Sequence, residues 1–175
     1  MMAMRLLALL FILQFATVNG LAGPLAPPKG IRHYEIGAAP EFSVTDMDGQ
    51  PFEFASTRGQ WVFLHFWASW CGPCREEMPS IQKLVEAFND RGLRVVLINT
   101  AEDEDTIFSF LGEIGMELDS LMDRDGLVTE KFKPRGLPTT ILIDREGKVQ
   151  YQAIGSREWH KSLYRDFLRQ LITDY

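Results

Sequence analysis

Seven consecutive residues, WVFLHFW at 61–67, carry six apolar or aromatic side chains around a single histidine, and four residues later the chain reads CGPC. A run with no polar alternation is a strand buried on both faces, which requires structural layers above and below it. Directly after the run the period changes. Met78, Ile81, Leu84, Val85 and Phe88 recur at helical spacing, and Gly92 falls where a helix-ending glycine belongs. LRVVLIN at 93–99 is then a second buried run. Strand, helix and strand in this order form a parallel crossover unit, so the chain belongs to the α/β class.

The flanking segments complete one domain. EFSVTDMDGQPFEF alternates around Asp48-Gly49 and predicts a hairpin over 41–54. Residues 21–38, rich in proline, glycine and alanine, read as a linker or extended lead-in. Beyond the second strand the pattern predicts a helix over 103–115 with an acidic start, a short strand near Leu121 and a helical turn over 128–132. A hairpin of 139–144 with 148–154 follows, joined by Arg145-Glu146-Gly147. The last helix is expected over 157–173, with Ser156 as N-cap and Trp159, Leu163, Phe167 and Leu171 on one stripe. A parallel half followed by an antiparallel half makes one mixed central sheet with helices on both faces, filling a domain over 39–175.

The N-terminus carries an address. Arg5, the apolar run 6–18 and the small residues after it have the layout of a signal peptide over 1–20, cut after Gly20. The run is shorter than the roughly 20 residues of a spanning helix, although an uncleaved N-terminal membrane anchor is the alternative. Either way the domain is expected outside the cytoplasm, in the periplasm or its equivalent. With 24 acidic against 18 basic residues and a formal charge of −6, the chain lacks the basic footprint of a nucleic-acid binder.

Export changes the meaning of the cysteines. Two cysteines in an oxidising compartment usually staple a fold, but a bridge across two residues removes little loop entropy from the unfolded chain. Cys71 and Cys74 are therefore expected to do chemistry. Cys71 falls at the strand-to-helix junction, where unpaired N–H groups and the helix dipole favour a thiolate. Cys74, one turn on, can resolve a mixed disulfide formed by Cys71. Gly72 leaves room for a partner chain, and Pro73 has no N–H to strand in the first turn. Glu76 and Glu77 stand in that turn; either carboxylate can simply face solvent near the dipole. Trp70 is the candidate docking surface beside Cys71, while Trp61, Trp67 and Trp159 read as core and His33 and His160 as surface.

WCGPC after an apolar strand, Pro79 five residues past Cys74, and GLPTT at 136–140 resemble the thioredoxin superfamily. APEFSVTDMDGQPFEF, CREEMP and the extra strand and helix after LRVVLINT are similar to the TlpA/ResA-type exported thiol-disulfide reductases, over nearly the whole chain from Ala39. The resemblance implies a thioredoxin-like fold with an N-terminal β-hairpin extension and an inserted strand-helix. It implies a cis-proline at Pro138 that turns the Leu137 backbone toward substrate, and a proton-moving glutamate at Glu77. At His65 thioredoxin has a buried aspartate and the closer relatives a neutral polar residue. The histidine here fits a proton shuttle if it titrates, and a packing role if burial keeps it neutral.

The expected activity is reduction of disulfides in exported proteins, with no cofactor and no metal, acting as a monomer recharged by a membrane thiol electron donor. Gly-Pro between the cysteines resembles the reducing end of the C-x-x-C range. Cytochrome c maturation is one expected setting, although the branch dedicated to it often has an acidic residue where Thr139 stands. The alternatives are a disulfide oxidase or isomerase and a copper-binding carrier. The copper families space their cysteines one residue wider, and the lone peroxidatic cysteine pattern of peroxiredoxins is absent.

Overall fold

The computed structural model describes residues 25–88 and 91–174. The signal-peptide reading at 1–20 and the first residues of the linker lie outside the described residues. The elements run β1 (Ile31–Ala38), β2 (Ser43–Asp46), β3 (Pro51–Glu53), a 3-10 turn (Phe54–Thr57), β4 (Trp61–Trp67), α1 (Gly72–Phe88), β5 (Leu93–Thr100), α2 (Glu104–Glu113), β6 (Leu121–Asp123), α3 (Leu127–Phe132), β7 (Thr139–Ile143), β8 (Lys148–Ile154) and α4 (Ser162–Asp174). All eight strands join one sheet in the order β1-β8-β7-β4-β5-β6-β2-β3. The parallel pairs β4–β5 and β5–β6 form one half and the antiparallel β4–β7, β7–β8 and β8–β1 the other.

β4 is the centre, and every one of its residues is buried. Its period of two divides the core. Trp61, Phe63 and Trp67 pack with Met78, Ile81, Leu84 and Phe88 of α1, with Ile107, Phe110 and Leu111 of α2, and with Phe167, Leu168 and Leu171 of α4. Val62, Leu64 and Phe66 face the opposite way, against Phe42, Phe54 and Val128 of α3. Helices therefore cover both faces, and His65, by its register, belongs to the face of α1.

The hairpin of β2 and β3 forms around Gly49, whose φ of 76° suits glycine. Asp46 closes it by accepting from the N–H groups of Asp48 and Gln50. It extends the sheet through β6. β6, α3 and the α3 start are tied together by buried Asp123, whose carboxylate accepts from the N–H groups of Val128 and Thr129 and from the Thr129 hydroxyl.

Two expectations need correction. Residues 31–38 of the supposed linker are strand β1, paired with β8 from Ile31↔Ala153 to Ala38↔Lys148. Only Ile31 of this strand is buried, so no apolar alternation marks it; an edge strand held by backbone bonds reads as a linker. The last helix begins at Ser162, so Ser156 is not its N-cap. Its buried residues are Phe167, Leu168 and Leu171, whereas Leu163 is exposed and Trp159 is buried ahead of the helix. Residues 157–159 are held out of the helix because they donate two hydrogen bonds to a buried carboxylate, and tertiary bonding outweighs local periodicity there.

Candidate active site

Cys71 immediately precedes α1, and its sulfur is bonded to that of Cys74, with the two Cα atoms 5.2 Å apart. The Cys74 N–H donates to Cys71 Sγ at 3.2 Å. One of the orphan amides of the first helical turn is thus aimed at the sulfur whose charged form it would stabilise. Access is unequal: Cys71 is 6% exposed and Cys74 not at all. Trp70 is 69% exposed, and Gly72 and Pro73 are exposed too. A Cβ placed on Gly72 would meet nothing within 4 Å, so the chain between the two cysteines borders open space.

The Leu137–Pro138 peptide bond is cis, in agreement with the expectation. Pro138 is buried at the entry to β7 and its carbonyl accepts from the Gly155 N–H at 2.8 Å. Half-buried Leu137 packs against the core on both sides of the sheet. It is the core that contains both sulfurs on one of those sides.

Glu77, one turn beyond Cys74, is 2% exposed. Its Oε1 accepts from the Arg157 N–H at 2.9 Å and from the indole N–H of Trp159. Loss of water outweighs these two bonds and the nearby Arg157 charge, and pushes the carboxyl up to about 7. Glu76, by contrast, is exposed. A solvent-open cleft of about 580 Å³, lined by Glu76, Glu77, Arg157, Lys161 and Tyr164 among others, reaches Glu77 from outside. A buried acid whose proton affinity burial raises toward neutrality, and which lines a cleft open to solvent, can take up and release protons.

His65 is fully buried. Its Nδ1 lies 2.9 Å from the hydroxyl of Thr140, its register partner on β7, and its Nε2 lies 3.7 Å from Glu77 Oε2. Burial pulls the ring down to about 3, so it is neutral at ordinary pH. Of the two roles left open for it, one that needs a charged imidazolium is disfavoured. His160, read as a surface residue, is half-buried and bonded to Ser80.

One functional residue escaped the sequence reading. Glu102 accepts from the Ser69 N–H at 2.7 Å, from the Ser69 hydroxyl and from the Asn99 amide at 2.7 Å. It ties the end of β5 to the turn that carries Cys71. In the sequence it is one acid in an acidic stretch before α2, and only tertiary structure distinguishes it from its neighbours. The described residues contain no cluster of His, Cys, Asp and Glu suited to a metal ion.

Residues 37–152 match the AhpC/TSA family. The chain belongs to this thioredoxin-like family. Among curated relatives, thiol-disulfide oxidoreductase ResA of Bacillus thuringiensis (strain Al Hakam) is 33% identical over 119 residues, 68% of this chain and 69% of that protein. ResA of Bacillus subtilis (strain 168) is 32% identical over 130 residues, 74% and 72% of the two chains. Among solved structures, one described as thiol:disulfide interchange protein DsbE from Chlorobium tepidum superposes with a TM-score of 0.69 at 30% identity, covering 80% of this chain and 99% of that one. The fold is thioredoxin-like, and the enzyme is a thiol-disulfide oxidoreductase with Cys71 and Cys74 as its redox pair.

Proposed function

We propose that the enzyme is an exported protein-disulfide reductase whose cycle opens at Cys71 and closes at Cys74. The observation that carries this reading is the pairing of Cys71, which keeps a small exposure of 6% and whose sulfur receives the Cys74 amide, with a Cys74 that is fully buried. In the reduced enzyme the Cys71 thiolate attacks a substrate disulfide, breaking that S–S bond and forming a mixed disulfide; the departing substrate sulfur takes a proton from water. Cys74 then gives its proton to the Glu77 carboxylate and attacks Cys71 Sγ, which releases the second substrate thiolate. Glu77 returns its proton through the cleft and the second thiolate takes up a proton from water, so the products are a substrate dithiol and the Cys71–Cys74 disulfide.

Trp70, Gly72, Pro73 and the backbone of Leu137 form the docking surface in this reading. The exposure of Trp70 and the open space at Gly72 support it. The signal-like N-terminus supports an extracytoplasmic location, and no described helix is long and apolar enough to cross a membrane. A reductase in an oxidising compartment needs a membrane thiol donor for each turnover. Cytochrome c haem-site cysteines are one substrate class that fits, although Thr139 after the cis-proline weighs against dedication to it.

The test is a Cys74→Ser variant expressed with its N-terminus intact. It should accumulate exported proteins bound covalently through Cys71, releasable by dithiothreitol, and the wild-type pair should equilibrate at a reducing potential near that of thioredoxin. A potential near that of the strong periplasmic oxidants would reverse the direction, and the absence of adducts would remove the mechanism.

A further inference from the structure

Glu77 uses one of its two oxygens. Oε1 takes both donors available to it, and Oε2 has no hydrogen-bond partner. His65 is in the same position: Nδ1 meets Thr140, and Nε2 has no partner. These two orphan atoms are enclosed in the same interior, 3.7 Å apart, with their side chains 0% and 1% exposed. Buried polar atoms without partners are rare, and two facing each other just beyond bonding distance are more simply read as one hydrogen bond awaiting its proton.

We infer that His65 is a positioning residue for Glu77: its Nε2 accepts from the carboxyl when Glu77 is protonated and donates to the carboxylate when Glu77 is ionised, while the ring stays neutral throughout. This rests on the reading of Glu77 as the proton acceptor for Cys74. The proton count balances. The proton that leaves Cys74 resides on Glu77 Oε2, and the ring keeps one proton of its own, on Nδ1 in the first state and on Nε2 in the second. Thr140 permits this because a hydroxyl accepts from Nδ1–H or donates to a bare Nδ1 equally well. An asparagine or glutamine carboxamide cannot exchange its donor and acceptor ends without rotating, whereas imidazole does so by changing tautomer.

Among the described residues Glu77 is the one acidic side chain paired with the ring. Around Glu77 stand Glu76 from α1, Arg157, Glu158, Trp159 and Lys161 from the segment after β8, and Tyr164 from the start of α4, while Cys74 lies one turn before it on the same helix. Around His65 are Phe63, stacked at 5.9 Å between centroids, and Thr140. The full enclosure of the ring is what keeps an imidazolium–carboxylate pair from forming in place of the neutral couple.

The test is ¹⁵N NMR of the His65 ring in the full-length oxidised protein between about pH 5 and pH 8.5. The expected result is a ring that never becomes cationic in this range and whose protonated nitrogen changes from Nδ1 to Nε2 as Glu77 ionises. In Glu77→Gln the ring should remain in the Nδ1–H form at every pH, because the Arg157 and Trp159 donors hold the glutamine oxygen and leave its NH2 to donate to Nε2. His65→Leu should raise the pH midpoint of Glu77 by about one pH unit, a tenfold change in proton affinity, with His65→Asn recovering part of it. A ring that titrates as a cation in this window, or a tautomer indifferent to Glu77, overturns the inference. Because Cys74→Ser trapping does not involve His65, adducts that persist beside an indifferent tautomer would sink this inference and leave the reductase reading standing.

Discussion

Replacing Glu77 with glutamine separates the charge of this side chain from its shape. In the folded enzyme the carboxyl holds its proton up to about pH 7, whereas in the unfolded chain it ionises near 4.5. Between those values the native state binds more protons than the unfolded state, so stability falls as pH rises through the interval and the loss is complete above it. The interval corresponds to about 3 kcal/mol. Glutamine keeps an oxygen for the Arg157 and Trp159 donors and carries no charge to desolvate. Urea unfolding of oxidised Glu77→Gln should therefore match wild type near pH 4 and exceed it by about 3 kcal/mol near pH 8.5. An equal difference at both pH values, or a wild type that is the more stable of the two at pH 8.5, would refute the argument that burial sets this carboxyl. The same substitution should slow the Cys74 step, so the variant trades activity for alkaline stability.

Other outcomes follow from particular bonds. Glu102→Ala strands the Ser69 N–H and the Asn99 amide and should cost about 1–3 kcal/mol, with slower attack by Cys71 on a model disulfide because the turn before it is loosened. Asp123→Ala removes the acceptor for three donors at the start of α3; it should lower stability by about 2–3 kcal/mol in thermal or urea unfolding. Trp159→Phe deletes the indole bond that favours the charged carboxylate, so the Glu77 midpoint should move further up in a ¹³C carboxyl titration. On the acid side, His65 stays neutral in the native state but gains a proton near 6.5 when unfolded. Its contribution is lost as pH falls from that value toward about 3, which His65→Asn should abolish in acid unfolding.

The sequence was most legible where burial and chemistry coincide. β4, α1 and β5 announce themselves through apolar runs, a change of period and the CGPC junction, and the bounds of the two strands lie within a residue of expectation. Pro138 was identified by resemblance alone, since nothing local distinguishes a cis from a trans proline. The failures share a cause. β1 is held by backbone pairing with almost no buried side chains, and the segment from Arg157 to Trp159 follows Glu77, eighty residues earlier in the chain. Thr140 meets His65 from 75 residues away and Glu102 meets Ser69 from 33 residues away. Hydrogen bonds of that span leave no periodic trace.

The sealing of Cys74 beneath Cys71 has a consequence for traffic at this centre. Of the two cysteines only Cys71 keeps any exposure, at 6%, so a visiting disulfide, whatever its size, has to begin there. Every redox event must then pass through one atom in sequence. The turn that bears Cys71 is fastened by Glu102 to the end of β5, so the position of that one atom is fixed by the sheet and not by the loop alone.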